Sequence, residues 1–402
     1  MPAFYKEWGY RAILSLKKRL VMTPQPRPGV FVGQNSTLEL CNTIAHFGFK
    51  DILIVTDKPL MELGILNPAL ARLQERGVNT HIFDGVLPDP TVQLVNEGIA
   101  CLKQNNCDSV LAVGGGSSID AAKVIAMAGS NDLTAEQCVG LKKSKVPTLP
   151  LFAVPTTAGT GSEVTLVAVV SDNDTHEKLM VADPRVIPSA AALDSEIMRG
   201  LPPHITAATG MDALTHAIES YINVWDTEEC LAFGRTATKM IFDNIAQACR
   251  NGDDLEAREA MALASYFAGL AFSTCLVGYV HAISHQLGGL YSVPHGLGNA
   301  MVLPHVLELL KDSASKRLAE LAVHTDLGSA TETEDALAQK VIDKVWSLNA
   351  EIGIPKTTDV IKEEDIDAIV TAALKEASGY PVPRFLERQE CEDLVRGLRS
   401  PA

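Results

Sequence analysis

Residues 109–125 read Ser109-Val110-Leu111-Ala112-Val113-Gly114-Gly115-Gly116-Ser117-Ser118-Ile119-Asp120-Ala121-Ala122-Lys123-Val124-Ile125: an apolar run of strand length, a glycine turn, then a helical pattern. Glycines at such a turn let backbone N–H groups approach phosphate oxygens closely, and the N-terminus of the following helix adds partial positive charge. The spacing is not the usual G-x-G-x-x-G, so taken alone it also fits a tight turn that needs positive φ.

Outward from this stretch the alternation repeats. Asp51–Thr56 (DILIVT), Val78–Phe83 (VNTHIF) and Leu149–Val154 (LPLFAV) are compact apolar runs, and Pro68–Arg76 and Thr91–Asn105 have helical length and pattern. Strands alternating with helices at this spacing predict βαβ units and a mostly parallel sheet. From about Pro202 the strand-like runs give way to helical segments at Thr206–Asn223, Glu228–Asn251, Asp254–Phe272, Thr333–Ile352 and Glu363–Ser378. The turn-rich stretch Asp183–Pro203 marks the boundary. The expected architecture is an α/β nucleotide-binding domain over residues 1–195 and an all-helical domain over residues 196–402.

The bulk numbers agree with a two-domain globular chain: 402 residues, 47% hydrophobic and 21% charged. A net charge of −15 opposes sequence-independent binding to nucleic acid or to an anionic membrane. Eight scattered cysteines without a C-x-x-C fit free thiols in a reducing cytoplasm. The basic N-terminal stretch is broken by Lys17, Lys18 and Arg19, which excludes the unbroken apolar core of a secretory signal and leaves an organellar presequence as the alternative to cytoplasmic residence. Ala260–Val280 carries no charge but holds Ser, Thr, Tyr and Gly, and reads as the buried core of a large domain rather than a membrane span.

Two further features fit a nucleotide. Asp57 ends an early strand, where a carboxylate can accept from both ribose hydroxyls of an adenosine and repel a 2′-phosphate; a lone Asp there is also a common helix N-cap. Pro155–Glu163 (PTTAGTGSE) gathers hydroxyls, small residues and flexible backbone after another strand.

The second half holds candidate metal ligands. Asp212 and His216 stand at i and i+4, as do His281 and His285, and His295 follows in a Val-Pro-His-Gly turn. On helices such pairs share a face and can grip one cation. An Asp with several His in apolar sequence suits Fe(II), Zn(II) or another borderline divalent ion, and the residues alone do not choose.

GGGSSIDAAK, PTTAGTGSEVT, AATGMDALTHAIE and HAISHQLGGLYSVPHGLGNAMVLPHV, in this order, resemble the iron-containing (group III) alcohol dehydrogenase family. The resemblance runs from about Pro28 to the C-terminus and implies a dehydroquinate-synthase-like fold. It implies metal ligands at Asp212, His216, His281 and His295, with Fe(II) as the ion, and pyrophosphate contacts at Gly115, Gly116 and Ser117. Ribose recognition by Asp57 and further NAD contacts at Asp120, Thr156, Thr157, Thr160 and Lys178 are also implied. His285 matches the family's non-ligand histidine near the nicotinamide and is the expected proton relay. The implied activity is hydride transfer between a small primary alcohol (or diol)/aldehyde and NAD, in a homodimer or larger homo-oligomer. Leu276 stands where many members have glycine, and Ser195 replaces the usual proline after Asp194. A lyase of the same fold would need Lys and Arg beside the metal motifs, where there are almost none; a zinc polyol dehydrogenase and a non-catalytic nucleotide-binding scaffold are the remaining alternatives.

Overall fold

The computed structural model describes residues 25–175 and 177–400, together with 9–12, 14, 15 and 18. One compact unit comprises residues 25–200 and 253–266; the other comprises residues 201–252 and the chain from 267 onward, with the N-terminal residues. Most of the unassigned N-terminal stretch lies outside the described residues. Of those described, Arg11 donates to the carbonyls of Val382 (3.3 Å) and Pro383 (3.0 Å), and its guanidinium lies 5.1 Å from the Phe385 ring.

In chain order the first unit contains β1 (Gly29–Val32), α1 (Ser36–His46), β2 (Asp51–Val55), α2 (Lys58–Glu62), α3 (Asn67–Glu75), β3 (Asn79–Phe83), α4 (Val92–Gln104), β4 (Ser109–Gly114), α5 (Gly116–Asn131), α6 (Ala135–Cys138), β5 (Gly140–Leu141), β6 (Leu151–Pro155), β7 (Val167–Ser171), β8 (Lys178–Ala182) and β9 (Ala190–Leu193). The main sheet runs β1-β9-β6-β4-β2-β3 with every neighbouring pair parallel. A small second sheet runs β5-β8-β7.

The apolar runs of β2 and β4 are continuous because both faces of the sheet are covered. Leu53, Val55, Val110 and Ala112 join one cluster with Val95, Ile99, Val124 and Ile125 of α4 and α5. Their neighbours Ile52, Ile54, Leu111 and Val113 face the other way, onto Leu40 and Ile44 of α1 and Leu73 of α3. The connection after β2 leads to β3 on one side, whereas that after β4 leads to β6 on the other. The carboxyl ends of β2 and β4 therefore flank the point where the winding reverses, which is where open parallel sheets bind ligands.

One expectation is corrected. Within the turn-rich stretch Asp183–Pro203 lies β9, a fully buried strand between β1 and β6. Its sequence is Ala-Ala-Ala-Leu, and alanine carries no strand preference; the conformation comes from parallel pairing with β1 and β6 on either side.

The second unit is helical: α7 (Pro203–Ile222), α8 (Glu228–Arg250), α9 (Leu255–Cys275, whose first turns count with the sheet unit), α10 (Tyr279–Tyr291), α11 (His295–His324), α12 (Glu334–Glu351), α13 (Ile366–Ala377) and α14 (Arg388–Gly397). Among the described residues no strand follows β9. No single helix among the described residues is long and apolar enough to cross a membrane; α9 and α10 together have the composition but are bent by 103° at their break. No residue of 260–280 is exposed. Pro304 lies inside α11 and has no N–H for the carbonyl of Ala300 one turn back; Asn349 of α12 donates to that carbonyl instead, at 2.7 Å.

Candidate metal centre and cofactor loops

Helix α7 is buried from Gly210 to Ile222, so every polar side chain there needs a partner. Asp212 and His216 lie one turn apart on it, His281 is in the first turn of α10, and His295 is the first residue of α11. The sequence places His295 in a turn; the turn is Ser292-Val293-Pro294, with Ser292 left-handed (φ 55) and Pro294 as N-cap, and it delivers His295 at the helix start.

One ligand atom from each of these four residues lies within 4.8 Å of the others. The Asp212 carboxylate oxygen is 3.9 Å from His216 Nε2, 3.9 Å from His281 Nε2 and 3.5 Å from His295 Nε2. Donors at metal bonds of about 2.0–2.2 Å in a tetrahedral site stand about 3.3–3.6 Å apart, so the set lies near the spacing of a divalent-ion site and would close in by up to about 1 Å around an ion. Burial, followed by the neighbouring imidazoles of His216, His295 and His285, holds the pKa of His281 well below the usual range. A neutral imidazole is the form that binds metal. The His216 ring is sandwiched by Phe272 at 4.1 Å and His281 at 4.7 Å. Asp212, His216 and His281 are buried, whereas the His295 side chain is 44% exposed, so the centre is open on that side.

His285, the next turn of α10, stacks on His295 with ring centroids 5.3 Å apart. Its Nδ1 is 2.6 Å from a Glu376 carboxylate oxygen that also accepts from the Tyr380 hydroxyl at 2.8 Å. Gln286 donates to the other Glu376 oxygen at 3.1 Å. Burial and the adjacent Glu376 push the Tyr380 phenol well above its ordinary pKa, which keeps it a donor.

Sequence reasoning missed three residues of this centre. Asn299 is buried, and its side-chain nitrogen lies 2.7 Å from Asp212, 3.1 Å from His281 Nε2 and 3.2 Å from His295 Nε2. Glu219 meets His281 Nδ1 at 2.7 Å. Burial pushes the Glu219 pKa up to about 8, and backbone N–H groups oppose that shift. Both residues carried a readable signal: Glu219 continues the Asp212/His216 face at i+7, and Asn299 is i+4 from His295. Glu376 had none, being brought in on α13 from far along the chain.

In the sheet unit, Gly115 caps α5 and Gly116 opens it. A Cβ on Gly116 would lie 2.7 Å from a methyl carbon of Thr160, so only glycine permits this approach. Gly115 would meet Thr157 at 3.6 Å, and the Thr156 N–H donates to Gly114 O at 3.0 Å. The glycine loop and the Thr-rich loop thus lie side by side at the ends of neighbouring strands β4 and β6. Asp57 lies two residues beyond the end of β2, as the N-cap of α2, and accepts from Leu60 N–H at 2.9 Å, the helix-capping alternative to ribose recognition. The Asp120 carboxylate is taken by the Ser162 hydroxyl at 2.5 Å and the Val169 N–H at 2.9 Å. Buried Lys123 donates to Ser162 (2.9 Å), Thr165 (2.9 Å) and Val167 O (2.6 Å), and burial lowers its pKa to about 8. This network ties α5 to the Thr-rich loop. Lys178 pairs with Asp89 and Ser171, neither of them in the glycine loop.

Residues 27–195 match the family model described as iron-containing alcohol dehydrogenase, and residues 206–398 match that of the family's C-terminal region. The chain is 40% identical over 355 residues to alcohol dehydrogenase 4 of Schizosaccharomyces pombe, covering 87% of this chain and 83% of that one. It is 36% identical to an NAD-dependent methanol dehydrogenase of Bacillus methanolicus, covering 92% and 97%. The fold is similar to a solved 1,3-propanediol oxidoreductase with a TM-score of 0.89 at 37% identity, covering 93% and 99%.

Proposed function

We propose, for a chain that belongs to the iron-containing alcohol dehydrogenase family, the following division of labour within its NAD-linked alcohol–aldehyde oxidoreduction. Asp212, His216, His281 and His295 hold one divalent cation, Fe(II) by family, with a donor set that also suits Zn(II). Residues 196–402 carry this centre, and residues 1–195 carry NAD. When bound, the cation supplies Lewis acidity toward the alcohol oxygen and NAD supplies the hydride acceptor.

The backbone N–H groups of Gly115, Gly116 and Ser117 bind the pyrophosphate at the N-terminus of α5. Asp57 binds the adenosine ribose. Thr156, Thr157, Thr160 and Lys178 complete the cofactor contacts, and Asp120 acts indirectly, by holding Ser162. His285 keeps a proton on Nδ1 toward Glu376 and exchanges the reaction's proton at Nε2; its 36% exposure gives that proton a way to solvent. Substrates are short primary alcohols and diols and the matching aldehydes, in keeping with the methanol and propanediol enzymes this chain resembles. The enzyme works in the cytoplasm, in keeping with eight free cysteines, and as a homodimer.

The observation that carries this reading is the buried Asp–His–His–His cluster, open on one side next to His285. The test is NADH formation from a panel of short alcohols and diols, using protein stripped with a chelator and then reloaded with Fe(II) or Zn(II). Activity should vanish on stripping and return with Fe(II). Activity that survives complete stripping would refute the metal assignment, and return with Zn(II) alone would refute iron.

A further inference from the structure

Glu219 is nearly inaccessible, and both of its carboxylate oxygens accept backbone N–H groups. Oε1 accepts from Val280 N–H at 2.7 Å; Oε2 accepts from Gly278 N–H at 2.8 Å and lies 2.7 Å from His281 Nδ1. Gly278 is the N-cap of α10 and has no capping side chain of its own, so a carboxylate from α7 does that work. The approach is close: a Cβ on Gly278 would stand 2.8 Å from Glu219 Oε1.

We infer that Glu219 is a positioning residue that caps α10 and, through the same carboxylate, fixes His281 as the Nδ1–H tautomer with its Nε2 lone pair turned to the other three donors. The Asn299 amide nitrogen, a donor, lies 3.1 Å from His281 Nε2, so Nε2 accepts and the proton of a neutral imidazole lies on Nδ1, toward a carboxylate whose two oxygens already accept backbone N–H groups. Nε2 is also the atom that lies 3.9 Å from Asp212. Carboxylates orient metal-binding histidines in this way and raise their basicity. Here one group sets both where the helix begins and which nitrogen its third residue offers. The inference rests on the ligand assignment proposed above.

The test is Co(II) affinity, measured against a competing chromophoric chelator, together with the visible absorption of the Co(II)-loaded protein. The melting temperature of the chelator-stripped protein reports folding. In E219Q the amide NH2 must face either a backbone N–H or His281 Nδ1, and in the second case the imidazole proton moves to Nε2. Metal affinity should fall by about 10–100-fold with altered Co(II) bands, while the stripped protein melts within a few degrees of wild type. Native affinity and spectrum in E219Q, with affinity lost in H281A, would overturn the positioning role. Native affinity in H281A would instead overturn the ligand assignment, and the inference with it. If E219Q does not fold, G278A displaces the carboxylate without removing it; weakened Co(II) binding is again expected, and native binding would overturn the role.

Discussion

Leu276 carries φ 58 at the break between α9 and α10, in the left-handed region that glycine enters freely and leucine does not. Family members commonly have glycine here, so the departure is one of backbone conformation before it is one of pocket size. The strained residue persists because its surroundings are fixed: the Asn223 side-chain amide donates to the carbonyls of Cys275, Leu276 and Val277 at 2.9, 3.2 and 3.0 Å. L276G is expected to raise the unfolding free energy by about 1 kcal/mol, read as a higher urea midpoint at unchanged m-value, the left-handed cost outweighing a partly exposed side chain. A drop in midpoint would mean that leucine packing dominates. Ser195, the other departure, is buried, and nothing in the structure explains its hydroxyl. At this scale the i+4 pairs Asp212/His216 and His281/His285, with His295 nearby, marked the region of the cluster in otherwise apolar sequence, and the family resemblance picked the four donors out of it. The partners that orient them were not, since a hydrogen bond such as that between Glu376 and His285 comes from tertiary packing and leaves no local period.

Between elements, the join of α11 to α12 turns on Pro304 and Asn349. A proline inside a helix leaves one carbonyl without its partner, and here Asn349 supplies the N–H from the neighbouring helix at 2.7 Å. N349A should destabilise the protein by about 1–3 kcal/mol, the cost of a buried unsatisfied carbonyl. In a P304A background, where the helix makes its own bond, the same substitution should cost measurably less. Equal costs in a double-mutant cycle of chemical denaturation would show that Asn349 matters for some other reason. Elements rich in branched residues, such as β2 and β4, were readable from their runs, and long amphipathic helices from their period. β9 was not, because three alanines have no strand signature and their conformation comes from β1 and β6 on either side. α11 was hidden by Gly296, Gly298 and Pro304, residues that ordinarily break a helix.

At the scale of the whole molecule, four donors from α7, α10 and α11 converge on one point, so a bound cation adds a cross-link to three helices already tied there by the hydrogen bonds of Asn299 and Glu219. Ligand that binds only the folded state stabilises it by mass action, by about 3 kcal/mol at a hundredfold excess over Kd. The melting temperature should therefore fall on chelation and recover on reloading in wild type, and should ignore metal in D212A. A metal-dependent shift of the same size in D212A would place the cation elsewhere. The main sheet has a temporal consequence as well. β1 stands at its edge and pairs only with β9, with Gly29 opposite Ala190. On a ribosome adding about 5–20 residues per second, the first strand of this sheet must wait on the order of ten to thirty seconds for its partner. The oldest strand of the sheet is thus the last to be zipped in, and until then its free edge is what a chaperone or a neighbouring nascent chain would meet.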